Sequence, residues 1–171
     1  MQNSRDFREY NDFVQNTRNY LKNLSRFKAT ADNKRERVEM WKAELAAINA
    51  PIARYSAMPG GGAAELNSVE SLVARREKIQ QCIYIVTEEA NRLEHIINMV
   101  ERSVSLLPAD DRKILEMRFK ENKSWLMIAD ELHFSEKWVS KKGSKAIKAV
   151  AKMLFGDAAI PSQQELFVFA I

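Results

Sequence analysis

From Val69 onward the chain repeats apolar residues at alternating steps of three and four: Val69, Leu72, Arg76, Ile79, Ile83, Val86, Ala90, Leu93, Ile97, Val100 and Val104. Ten of these eleven positions are apolar over five heptads, a sustained 3.5-residue period that predicts a long coiled-coil helix. Asn67, with Glu70 three residues later, reads as a capping box that opens it. Arg76 is the polar exception on the seam; it sits at the open end of a hairpin or specifies register, as polar a-positions do. Upstream, a ladder of seven-residue steps runs Tyr10, Thr17, Leu24, Ala31, Val38, Leu45, Ile52, flanked early by Phe7, Val14 and Leu21 and later by Trp41, Ile48 and Tyr55. The phase survives the polar stretch KATADNKRER (28–37), which allows one long helix, yet that stretch is weak enough to be a break, so this segment reads as two helices or one bent helix. Pro51, with no N–H to donate, should kink or end it.

Between the two periodic segments lies AMPGGGAAE, which holds three of the chain's five glycines. A phosphate-cradling loop needs a strand before it and, in its Walker form, a Lys-Ser/Thr pair after the last glycine, and both are missing here. The stretch therefore reads as a Gly-rich link over 57–66, joining two antiparallel helices into a hairpin that occupies 1–105.

A second boundary falls at SLLPADDR (105–112), where Pro108 suits a first helical turn and Asp110 and Asp111 place negative charge at its positive end. A short helix, DRKILEMRF, should follow, with Ile114, Leu115 and Phe119 facing inward. Ser124 then reads as the N-cap of a helix whose apolar face is Trp125, Ile128, Ala129 and Leu132. The chain must turn at His133 and Phe134, and Ser135 can cap another helix. Ala129 is small enough to let two helices cross closely, which is the packing requirement of a helix-turn-helix. Residues 106–155 thus read as three short helices after the two long ones.

Wound at about 100° per residue from Val139, the last helix places Val139, Gly143, Ala146, Ile147, Val150, Met153 and Leu154 on one side. Lys137, Lys141, Lys145, Lys148 and Lys152 fall on the other, Ser140 and Ser144 flank them, and Trp138 and Lys142 take the opposite shoulder. A lysine-rich face is by itself usually a solvated surface. Here Glu136 is the sole acid between residues 136 and 152. Residues 106–155 also carry eleven Lys and Arg against seven Asp and Glu, whereas the remainder has sixteen of each, so the whole net charge of +4 sits in this segment. A face of this kind binds polyanions by releasing counterions from phosphates. The candidate DNA-binding residues are Ser135, Glu136, Lys137, Trp138, Ser140, Lys141, Lys142, Ser144, Lys145 and Lys148. Base choice would fall to those near the helix start, Lys137, Trp138, Ser140 and Lys141.

Few glycines and prolines beside abundant Lys, Glu, Ala and Leu fit an all-α chain. One cysteine, Cys82, excludes an internal disulfide, and no apolar run approaches a membrane span, so a soluble, unprocessed, cytoplasmic protein without membrane association is expected. With His95 and His133 in different segments, the chain offers no well-spaced zinc set and no Cys-His nucleophile system. No enzymatic activity and no cofactor are expected. The tail over 156–171 ends in LFVFAI, apolar enough to dock on its own hairpin, to add to a partner or to be exchanged in a dimer.

LLPADDRKILEMRF followed by SWLMIADELHFSEKWVSKKGSKAI resembles region 4 of sigma-70-type factors, in which a Pro-led helix ending in a similar Leu/Met-Arg-Phe/Tyr precedes an Ile-Ala/Gly helix-turn-helix. The match covers about a third of the chain. A long helical segment ahead of it with a Pro/Gly-rich interruption is similar in layout to phage-encoded sigma-like transcriptional regulators of Gram-positive hosts, the ArpU-like and RinA-like group. The resemblance implies packing roles for Trp125, Ile128, Ala129, Leu132, Val139 and Ala146. It also implies a recognition surface at 136–145, promoter DNA as ligand and host RNA polymerase as partner in the bacterial cytoplasm. His133 stands where a turn glycine is common, and His is among the residues enriched in the left-handed region. Lys142 and Gly143 stand where the family often has an apolar and a longer polar residue, and Gly143 marks either a close helix crossing or a shortened, bent recognition helix. The expected architecture is a long antiparallel helical hairpin, or coiled coil, followed by a small three-helix sigma region 4-like helix-turn-helix domain. A homodimer through the coiled coil or the tail stays open. So do two other functions: a phage packaging adaptor of the small-terminase kind, and a helical interaction module that binds no DNA.

Overall fold

A computed structural model describes residues 3–56 and 63–159, and among these the regular structure is entirely helical. Helix α1 spans Asn3–Ser56, α2 Ala63–Ser105, α3 Ala109–Leu115, α4 Trp125–Leu132 and α5 Glu136–Phe155. A π-helical turn, Glu116–Lys120, extends α3, and a 3-10 turn, Gly156–Ala159, follows α5. The chain divides into two compact units, one built from the described residues up to Ser25 and from Ile96 onward, the other from Arg26–His95.

The heptad seam has the physical consequence expected of it: all eleven positions from Val69 to Val104 are buried or half-buried in α2. In the Arg26–His95 unit, Ile79 and Ala90 of α2 are buried, as are Ala31, Val38 and Ile48 of α1. Ion pairs Lys34–Glu89, Arg35–Glu94 and Arg75–Glu44 join the two helices. Lys34 and Arg35 meet Glu89 and Glu94, whereas Glu44, further along α1, meets Arg75, earlier on α2, so the pairing is antiparallel. Such exposed pairs are worth at most about 1 kcal/mol each. Their weight is in register, while the apolar seam carries the stability.

Two expectations for this region are corrected. Residues 3–56 form one helix rather than two, and α1 continues five residues past Pro51. The polar stretch 28–37 holds because Ala31 stays buried and Lys34 and Arg35 reach acids on α2. Helix α2 begins at Ala63, four residues before the Asn67 signal and inside the stretch read as a link, because Ala63, Ala64, Glu65 and Leu66 are strong helix formers. The glycines of that link and the LFVFAI tail lie outside the described residues, as do the side chains of Phe7, Tyr10, Ile52 and Tyr55.

In the other unit, Val14 and Leu21 of α1 and Val100 of α2 share a core with Leu107, Leu115, Ala146, Ile147, Val150 and Ala151. A second cluster, Ile114, Met117, Ile128, Ala129 and Val139, with Trp125 and Leu132 against it, ties α3, α4 and α5 together. Neighbouring residues about 100° apart on this segment serve both clusters, Leu115 and Phe119 the first and Ile114 and Met117 the second.

Candidate nucleic-acid interface

The turn between α4 and α5 is set by local chemistry. Ser124 Oγ accepts from the Met127 N–H, and Ser135 Oγ accepts from the Trp138 N–H, so each hydroxyl satisfies one of the unpaired donors of a helix start. His133 takes the left-handed conformation at φ 56°, ψ 40°, and closes α4 as the missing glycine would. Asn122, at φ 56°, makes a similar turn ahead of α4. Arg118 braces that turn: its guanidinium donates to the Lys123 carbonyl at 2.7 Å and lies 5.0 Å from the Trp125 ring centroid.

The Trp125 ring also explains Gly143. A Cβ at this position would stand 2.6 Å from Cη2 and 2.8 Å from Cζ3 of Trp125, and 3.4 Å from Ile114 Cγ2. Of the two meanings open to this glycine, close crossing is the one observed, since α5 runs unbroken through it to Phe155.

The positions assigned to packing are covered: Ile128, Ala129, Val139 and Ala146 are buried, and Trp125 and Leu132 half-buried. Glu136, Lys137, Lys141, Lys145, Lys148 and Lys152 are exposed, while Ser140 and Ser144 are half-buried beside them. Lys137, Lys141, Lys145 and Lys152 form no ion pair with any described residue. Ser135 is engaged as the cap, with its hydroxyl proton still able to donate.

Lys142 differs from the other candidates. Its ammonium lies 3.0 Å from Asp110 Oδ2 and 3.6 Å from Asp111 Oδ1, and 4.7 Å from the centroid of the Trp138 ring. The hydrogen bond to Asp110 and the charges of both aspartates raise its pKa. Its charge is thus answered inside the protein, and a phosphate would have to compete with two carboxylates for it. Lys123, paired with Glu121 and Glu131, is held in the same way, its pKa raised first by the hydrogen bond to Glu121 and then by that to Glu131.

One expected face is redrawn. The winding places Met153 with the buried side, yet it is 45% exposed, while Ala151 is fully buried and Phe155 half-buried. The C-terminal half of α5 packs against α1, where Phe155 meets Phe13 and Tyr20 at centroid distances of 4.8 and 6.4 Å. The buried face therefore rotates along the helix.

A residue missing from the sequence-based candidates lies beside them. Phe134 stacks on Trp138 with centroids 4.1 Å apart, and the two rings are 52% and 39% exposed. The spacing of four residues between two aromatics was the available signal, masked because Phe134 falls in the turn.

Among the described residues no group of three or more His, Cys, Asp or Glu could hold a metal ion, and no helix is long and apolar enough to cross a membrane. What the geometry defines is an all-helical protein with a helical pair and a compact cluster of three short helices that presents a basic helix face. The chain belongs to the DUF722 family, described as proteins of unknown function, whose model matches residues 60–152, more than half of the chain. That match takes in all of α2, α3 and α4 and α5 as far as Lys152. No curated protein and no solved structure matches the chain.

Proposed function

We propose that this protein binds double-stranded DNA through the first half of α5. It acts as a phage-type transcriptional regulator whose α3–α5 unit is a sigma region 4-like helix-turn-helix domain. In this reading the domain binds promoter DNA in the cytoplasm of a bacterial host and contacts host RNA polymerase, and the paired long helices serve as an oligomerisation or polymerase-contacting arm. The observation that carries the reading is the set of exposed, uncompensated lysines on the second helix of the turn, Lys137, Lys141 and Lys145, with Ser140 and Ser144 beside them. Acids within the same unit neutralise Lys123 and Lys142 but leave this face alone. A solvated surface evolved only for solubility has no need of that segregation.

Each lysine on a phosphate adds about 0.9 to the slope of log affinity against log salt. The double variant Lys141→Ala, Lys145→Ala should therefore bind duplex DNA more weakly, with a slope shallower by about 1.8. Equal affinity and an unchanged slope would show that the proposed face does not touch DNA. A large ring in solution would point instead to a packaging adaptor.

A further inference from the structure

We infer that the stacked pair Phe134 and Trp138 is a base-reading element that contacts the 5-methyl group of thymine in the major groove. The inference rests on the DNA-binding reading above and adds what the lysines lack. Lysine supplies attraction and register, but its charge alone carries little sequence information. Two large apolar rings side by side in water are costly surface, and here they stand at the start of the helix that presents the lysines. Trp138 projects about 60° around α5 from Lys141 and about 20° from Lys145. A surface that approaches those lysines therefore meets the rings as well.

Charge complementarity selects the occupant. Lys137, Lys141 and Lys145 are exposed and form no ion pair with any described residue, and Glu136 is the one acid on their helix, so the partner must be a polyanion before it meets the aromatic pair. Within the major groove of a duplex, hydrogen-bonding groups dominate every base edge, and the apolar exception is the thymine methyl. An aromatic ring is matched to that methyl and poorly matched to the donors and acceptors of a G·C pair.

The pair is also held in place before any ligand arrives. Trp138 has Phe134 stacked on it and the Lys142 ammonium 4.7 Å from its centroid, and Lys142 is fixed in turn by Asp110 and Asp111. A ring positioned in this way loses little rotamer freedom on binding. The departure of Lys142 from the apolar residue common at its position acquires a purpose: it steadies the ring instead of contacting phosphate.

The test uses the full-length protein and two 20-base-pair duplexes of alternating sequence, d(A-T) and d(A-U), which differ in the C5 methyl alone. Fluorescence anisotropy should show tighter binding to d(A-T) by about four-fold for each methyl contacted, the factor for burying one such group. The Phe134→Ala, Trp138→Ala variant should bind the two duplexes equally while keeping the wild-type salt slope. An alternating d(G-C) duplex should likewise gain affinity for the wild type when its cytosines carry a 5-methyl group, a check that needs no variant. Equal wild-type affinity for d(A-T) and d(A-U) overturns the methyl contact and assigns the rings to a protein partner. A preference that persists in the double variant overturns it too, by placing the contact elsewhere. Failure of the wild type to bind any duplex refutes the DNA-binding reading itself.

Discussion

Replacing Gly143 by alanine sets two effects of known size against each other. Alanine in a helix interior is favoured over glycine by about 1 kcal/mol, so an open site would be stabilised by that amount. The site is not open: the new methyl would stand 2.6 and 2.8 Å from two carbons of the Trp125 ring. Carbon atoms pack at about 3.5–4.0 Å, so the ring must recede by about 1 Å. It has little room to do so, because Arg118 lies over it and is itself bonded to the Lys123 carbonyl, and the ring closes the cluster of Ile114, Met117, Ile128, Ala129 and Val139. Overpacking of this kind costs about 1–3 kcal/mol. The expected outcome is a net loss of about 1 kcal/mol, read in thermal denaturation by circular dichroism as a Tm about 2–4 °C lower. The same substitution in a Trp125→Leu background should instead raise stability, because the ring that opposes it is gone, and the sign change isolates the pairwise term. A higher Tm for Gly143→Ala in the otherwise native chain would refute the account: it would mean that Trp125 moves freely and that the close crossing is not enforced.

Other outcomes follow from the same contacts. Lys142→Ala should leave the salt slope of DNA binding nearly unchanged, whereas Lys141→Ala should reduce it by about 0.9; equal effects would show that Asp110 and Asp111 do not hold Lys142. His133→Gly should raise stability by up to about 1 kcal/mol, measured by urea denaturation, because glycine adopts the left-handed conformation without the Cβ penalty. Glu89 has its carboxyl held below the usual range by its hydrogen bond to Lys34 and by that residue's charge. Its contribution is present above the unfolded carboxylate pKa and fades as pH falls through the lowered folded value. Melting curves of wild type and Glu89→Gln should accordingly converge on going from neutral to acidic pH, and a gap that widens on acidification would contradict the pairing.

Much of the fold was legible because it depends on neighbours within one helical turn. The seam of α2 from Val69 to Val104, the caps Ser124 and Ser135 and the turn at His133 each follow from spacing or from a side chain reaching its own backbone. Less local features depend on partners far along the chain. The polar run 28–37 argued for a break in α1 only while its partners on α2 were unknown, and once Lys34 and Arg35 face Glu89 and Glu94 the run is a zippered stretch of helix. Asn67 was a plausible start for α2, but strong helix formers ahead of it carried the helix back to Ala63.

The amino-acid sequence by itself determined the all-helical class, the antiparallel pairing of the long helices and the lysine stripe of α5, since periodicity and capping are encoded within a few residues of chain. Tertiary structure alone decided which lysines remain available. Lys141 and Lys142 are adjacent in the chain, yet one faces water and the other meets Asp110 and Asp111 on α3. Helical phase gives the direction of a side chain but not what another helix places there. For the same reason the close crossing at Gly143 and the exposed Phe134–Trp138 stack emerged only when α3, α4 and α5 were packed together.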